Sequence, residues 1–401
     1  MSNYLILLIE AILNFLNSAL FILILFLLII TYHFLLFFTR DTNHIKALQK
    51  YKDPEVLTLE ELNEVPLVNI IIPAWKEGKL FEDCLQSITE LKYPNLKIIV
   101  NAGGSEETIK IADSFKSYNN FTIIRQKPGG KMKALNECIE HVSNGIVYSI
   151  DADVILTDEI LLRMLYPITN ENEYVTAGGV RPLKSQEHKS LVKYLLINRI
   201  MNFRIKFSRY GRNQISGPNS CLKYEVIEAI GKFEMENFYL ESDRFRGPLI
   251  SDKGYKIYWI SDYRGYIYTY FPESIKKYIK QDIRWRKNSL TDSKRKQRKK
   301  MIVRFLLSVI FSLLILSFPI VIFFNVWLAM IGILLLVFLF LKKIRKFLFL
   351  KFTVNKKFYP KFGFLLFFKM FFYSYIENLM TAYLALDIIK SRIKRKKKEK
   401  K

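Results

Sequence analysis

The sequence predicts an α/β domain flanked by membrane-embedded helices, and three features carry that expectation. Six short apolar runs, VNIIIP, LKIIVN, FTIIRQ, GIVYSID, YVTAGGV and YKIYWI, alternate with stretches of helical length between Val68 and Trp259. Runs of that length and spacing read as βαβ units around a largely parallel sheet. Residues 19–38, ALFILILFLLIITYHFLLFF, contain no Asp, Glu, Lys or Arg, enough to cross a bilayer as one helix. A second apolar block fills residues 305–341.

Residues 1–40 are expected to form a retained N-terminal transmembrane anchor, because the basic start and small-residue cleavage site of a signal peptide are missing. The polar segment 41–67 reads as a connector, and 68–270 as one soluble domain. In 271–300, Ile275, Tyr278, Ile279, Ile283 and Trp285 recur on one side among lysines and arginines, which predicts an amphipathic interfacial helix. Ser317 to Pro319 and Asn325 interrupt the block at 301–341, so a transmembrane hairpin is expected there. The basic region 342–401 includes an aromatic-rich stretch, 363–389, interrupted by Lys369, Glu377 and Asp387; it is expected to lie in the interface without spanning.

The formal net charge of the 401 residues is +25, and its placement matters more than its size. Six of the seven residues from Lys294 to Lys300 are basic, Lys342, Lys343, Arg345 and Lys346 follow the hairpin, and the tail from Arg392 carries eight. This is the positive-inside pattern, which puts the soluble domain on the cytoplasmic face of the cell membrane. The middle of the chain holds no nucleic-acid-binding motif, so no nucleic acid partner is expected. Cys84, Cys138 and Cys221 lack metal-ligand spacing and fit a reducing compartment.

Several motifs carry chemistry. NAGGSEET ends an apolar run in Gly103 and Gly104, then offers Ser105 as a helix cap. KPGGKMKALN places Gly129, Gly130, Lys131 and Lys133 before a helix, where backbone amides and ammonium groups can approach phosphate. GIVYSIDADVIL sets Asp151 and Asp153 at a strand end; alternation would point both carboxylates to one side, where they could share Mg2+ or Mn2+. ENFYLESDRF contributes Glu241 and Asp243, and QDIRW puts Gln281, Arg284 and Trp285 on one face of the amphipathic helix.

The order of these motifs, with IIIPAWKE at 70–77 and SGPNSCLKYE at 216–225, resembles the membrane-embedded family 2 glycosyltransferases. These are inverting enzymes of the GT-A (nucleotide-diphospho-sugar transferase) fold that include hyaluronan, chitin and cellulose synthases and ceramide glucosyltransferases. The resemblance runs from about Val68 to Leu290. It implies that Pro73, Glu77, Ala102, Gly103, Lys131 and Asp151 bind a nucleotide-diphosphate sugar, taken to be a UDP-sugar. Asp153 would hold the divalent cation, Mg2+ or Mn2+, and Asp243 would be the general base. Gln281, Arg284 and Trp285 would close over diphosphate and acceptor, and Gly217, Pro218 and Trp285 would meet a saccharide or lipid-linked acceptor at the bilayer.

Two positions depart from the family pattern. Ser242 stands where an acid usually precedes the base, and Ala102 where an aspartate contacts uracil. The expected activity is transfer of a hexose or N-acetylhexosamine, with processive polysaccharide synthesis, single addition to a glycolipid, and a catalytically weakened sugar-nucleotide-binding protein as alternatives.

Overall fold

The computed structural model describes residues 2–16, 19–43, 45–46, 58–204, 210, 215–231, 243–291, 303, 305–310, 312–314, 316–317, 320, 326–353 and 364–399. They fall into two compact units: residues 47–277 with 355–361, and a helical unit of residues 1–46, 278–354 and 362–401.

The first unit is built on two sheets whose strands are β1 (Val68–Trp75), β2 (Leu96–Gly103), β3 (Phe121–Arg125), β4 (Ile146–Ser149), β5 (Val154–Ile155), β6 (Val175–Ala177), β7 (Val180–Pro182), β8 (Ser220–Lys223), β9 (Tyr258–Trp259) and β10 (Ile267–Thr269). The larger sheet runs β3-β2-β1-β4-β8-β6-β9 and the smaller β5-β10-β7. β1 is central because Ile70, Ile71 and Ile72 are fully buried, so both faces of the strand must be covered, as in parallel sheets. It pairs in parallel with β2 and β4, and β2 with β3. β8 runs antiparallel to both β4 and β6, which makes the sheet mixed rather than wholly parallel.

The helices Lys79–Thr89, Glu106–Asp113 and Lys131–Ile139 follow β1, β2 and β3. Ser105 Oγ accepts the Thr108 N–H at 3.3 Å and caps the second of them. These crossovers bring the carboxyl ends of β1, β2 and β4 to one edge, where ligands sit in open α/β sheets.

In the helical unit, Ala19–Asp41 spans 23 residues with mean hydropathy 2.8 and, among the described residues, is the one helix long and apolar enough to cross a membrane. It packs on the helix Val326–Thr353: Arg345 Nε lies 2.8 Å from Asp41 Oδ2, and the His33 and Phe338 rings are 4.7 Å apart. The expected hairpin break at Pro319 and Asn325 lies outside the described residues. The aromatic-rich stretch belongs to one continuous helix, Phe364–Glu399. On it, Glu377 accepts from Tyr278 Oη at 2.8 Å and Asn378 from Ser312 Oγ at 3.2 Å. The amphipathic segment is helical over Ile275–Thr291.

Candidate active site

Asp151 and Asp153 do not lie on a strand. β4 stops at Ser149 and β5 begins at Val154, so both carboxylates belong to the connecting turn, and strand alternation is not what brings them together. The turn itself does so, at the carboxyl edge of the sheet. Lys131 reaches it from the first position of its helix, where Gly129 and Gly130 adopt φ of +158° and +87°; Lys131 Nζ is 2.5 Å from Asp151 Oδ1. Loss of solvent, and then the Asp151 carboxylate, pushes the Asp153 carboxyl up to about 6, against the opposing pull of Lys131 and Arg199.

The glycine turn after β2 is shaped by close approach. A Cβ on Gly103 would stand 2.5 Å from the Gln126 carbonyl, and Gly104, at φ +83°, lies against the Trp75 ring. Asn101 faces the Lys131–Ile139 helix, donating to Ala134 O at 3.1 Å and Glu137 Oε2 at 2.6 Å. Its neighbour Ala102 points the other way and has no exposed surface, so as it stands its methyl group presents nothing to a ligand. Pro73 and Glu77 are half-buried. The Glu77 backbone is locked in both directions by Thr108, whose Oγ1 accepts from the Glu77 N–H and donates to the Glu77 carbonyl, each at 2.7 Å.

Gly217 is buried and Pro218 half-buried in the turn before β8. The residue that secures this turn, Asn219, was not expected from the sequence. Its side chain is fully buried; Nδ2 donates to the carbonyls of Gly179 and Gly265 at 3.0 Å, and Oδ1 accepts from Tyr148 Oη at 2.7 Å. Tyr148 stands three residues before Asp151, so one amide ties the Gly217–Pro218 turn to the strand that delivers the carboxylates. The available signal was an amide between a tight turn and an apolar strand start, where buried polar groups must be paired.

Asp243 is the first residue of the helix Asp243–Asp252, while Glu241 and Ser242 lie outside the described residues. Arg284 and Trp285 are exposed and Gln281 is half-buried on the Ile275–Thr291 helix, which from Tyr278 onward belongs to the helical unit. The residues brought together around one point are therefore Lys131, Asp151 and Asp153.

This donor set suits one kind of cation. Among the described residues no group of three or more His, Cys, Asp or Glu side chains could hold a metal, so a closed protein cage is not built here. Two carboxylates on a turn, one of them holding an ammonium, fit Mg2+ or Mn2+, which commonly take one or two carboxylates and complete their shell with substrate phosphates and water.

A family model described as "Glycosyltransferase like family 2" matches residues 66–288, from before β1 to beyond QDIRW. This chain belongs to that family. Among relatives of this family 2 glycosyltransferase-like chain, the glycosyltransferase AglE of Haloferax volcanii is 27% identical over 42% of this chain and 56% of its own length. The poly-beta-1,6-N-acetyl-D-glucosamine synthase of Staphylococcus aureus is 23% identical over 62% of this chain and 59% of its own. The family 2 chain thus spans less than two thirds of the curated relatives it matches. In fold it is similar to the mannosyltransferase PcManGT of Pyrobaculum calidifontis, solved with GDP-Man and Mn2+, at 16% identity and TM-score 0.49 over 92% of this chain and 98% of that one.

Proposed function

We propose that this chain is an inverting membrane glycosyltransferase that moves a hexose or N-acetylhexosamine from a nucleotide-diphosphate sugar to a saccharide or lipid-linked acceptor. The observation that carries the reading is the Asp151–Asp153 turn at the carboxyl edge of the sheet, with Lys131 delivered to it by a glycine-led helix start. Carboxylates for a cation beside an ammonium for phosphate are what a sugar diphosphate needs.

In this mechanism the donor diphosphate lies along the turn, with Asp153 and Asp151 as the residues that would hold Mg2+ or Mn2+. When bound, that ion supplies charge neutralisation for the diphosphate. Lys131 exchanges part of its contact with Asp151 for a phosphate oxygen. Asp243 takes the proton from the acceptor hydroxyl as its oxygen attacks the anomeric carbon; the bond from that carbon to the phosphate oxygen breaks, and the nucleoside diphosphate leaves with the electron pair. One displacement of this kind inverts the anomeric centre. The family resemblance gives Arg284 the charge on the leaving group, and Gln281 and Trp285 the acceptor.

The Ala19–Asp41 helix, with the basic segments that follow the apolar blocks, supports a multi-pass cell-membrane protein with its sheet domain in the cytoplasm. Relatives that include a polysaccharide synthase favour oligosaccharide or polymer products over a single addition. The test is a panel of UDP- and GDP-sugars incubated with the detergent-purified full chain, Mn2+ and membrane lipid extract. Sugar-dependent release of nucleoside diphosphate, lowered by roughly two to four powers of ten in Asp243→Asn, supports the reading. Unchanged turnover in that variant would place the base elsewhere.

A further inference from the structure

Arg199 belongs to none of the motifs above. It sits half-buried on the helix Ser190–Arg204, with its guanidinium carbon 4.1 Å from the centre of the Phe271 ring. That ring is a fixed platform. Phe271 is fully buried, its N–H donates to Gln186 Oε1 at 3.0 Å, and its carbonyl accepts from Gln186 Nε2 at 2.9 Å.

The platform stands beside the two carboxylates. Phe271 follows Thr269 by two residues, and Thr269 pairs across the small sheet with Val154, the residue after Asp153. Arg199 reaches this corner of the small sheet through that ring, and the strand register carries the ring to the neighbourhood of the turn. Two cations from different elements are thus directed to one region: Lys131 from the helix after β3, in contact with Asp151, and Arg199 from the helix after β7, by way of Phe271. A guanidinium whose face rests on an aromatic ring presents its N–H donors around the rim, where its planar fork matches phosphate oxygens.

Charge balance indicates what Arg199 is for. Asp151, Asp153, Lys131 and Arg199 together sum to zero, and a divalent cation with the two negative charges of a sugar diphosphate leaves that sum unchanged. When the sugar departs, the diphosphate gains a further negative charge, and a cation already in place stabilises it without rearrangement.

We propose that Arg199 contacts the donor diphosphate, as a second leaving-group cation supplied by the sheet domain itself. This rests on the donor-binding reading above, and the experiment separates the two. UDP and GDP are titrated calorimetrically, with Mn2+, into the full chain in detergent, as wild type, Arg199→Lys and Arg199→Gln, with thermal melting of each ligand-free protein alongside. If Arg199 touches the diphosphate, the Gln variant binds the better nucleotide roughly ten- to hundredfold more weakly, and the Lys variant, which keeps the charge, stays within about fivefold of wild type. A Gln variant that melts lower yet binds as wild type does overturns the proposal and leaves Arg199 a packing residue on Phe271. Should that variant not fold, Phe271→Leu keeps the charge and removes its platform: a loss of affinity of about fivefold or more supports the proposal, and unchanged affinity overturns it. Wild type that binds neither nucleotide removes the donor-binding reading instead.

Discussion

Lys131 Nζ lies 2.5 Å from Asp151 Oδ1 and joins the start of one helix to the turn after β4. With side chains 22% and 32% exposed, this pair is wet enough to be exchanged. The ammonium competes with any other cation for the carboxylates. Lys131→Gln should therefore bind free Mn2+ more tightly, by about two- to fivefold for a partly exposed pair, while binding the Mn2+–nucleoside diphosphate pair more weakly. Electron paramagnetic resonance of free Mn2+ and calorimetry read the two effects. A loss of both affinities would show that Lys131 supports the turn instead of competing for it.

Asn219 should matter for stability beyond its size. Replacing it with Ala leaves the Gly265 carbonyl and the Tyr148 hydroxyl without their buried partner, while the Gly179 carbonyl keeps the Ile267 N–H. Each unsatisfied group typically costs about 1–3 kcal/mol, so a loss of roughly 2 kcal/mol or more is expected in urea unfolding of the detergent-solubilised chain. A loss under about 1 kcal/mol would mean that water replaces the amide without penalty.

Glycine substitutions should separate backbone strain from crowding. Gly103→Ala puts a Cβ 2.5 Å from the Gln126 carbonyl, whereas a Cβ on Gly254, at φ +86°, would meet nothing within 4 Å. Gly254→Ala should cost only the left-handed conformation, about 1 kcal/mol. Gly103→Ala should lower the melting temperature further, because β2 and the segment after β3 must part. Equal shifts would contradict the close approach.

The acid limb of the stability curve should contain Asp262. Burial alone would raise its carboxyl, but the Arg264 side chain and N–H, together with Arg163, more than offset this and hold it below the usual value. Arg264 Nη2 sits 2.6 Å from Asp262 Oδ2, and Arg163 Nη1 3.6 Å from the same oxygen. A group depressed in the folded state contributes stability that is present above its unfolded pKa, about 3.9, and that is lost as pH falls through the folded value. Asp262→Asn should lower the melting temperature at neutral pH and flatten its decline below about pH 4. A parallel decline in both proteins would remove Asp262 from the acid response.

Much of the fold was legible from runs of apolar residues. The six runs read from the sequence became β1, β2, β3, β4, β6 and β9; all but the half-buried edge strand β3 are largely buried on both faces, where strands read as continuous apolar runs. β7 and β8 escaped because polar residues and a proline break them, Arg181 and Pro182 in β7 and Ser220 and Lys223 in β8, and β5 and β10 pair over only two and three residues outside the six runs. The glycine turns and the Ser105 cap were legible because positive φ and capping each demand particular residue types. The position of the carboxylates was only half legible: their edge of the sheet follows from β4, but the turn that carries them replaces the strand assumed for them. Arg199 and Asn219 were illegible because each acts through partners distant in sequence, Phe271 for one and Tyr148, Gly179 and Gly265 for the other.

The central claim is that the Asp151–Asp153 turn binds a nucleoside diphosphate together with a divalent cation, and calorimetric titration tests it most directly. UDP and GDP are titrated into detergent-purified wild type and Asp153→Asn, with Mn2+ and with chelator. The account predicts saturable binding of at least one nucleotide to wild type that requires Mn2+, and its loss in Asp153→Asn with the melting temperature of the ligand-free protein little changed. Binding that is equally tight in the variant, or indifferent to Mn2+ in wild type, would contradict it.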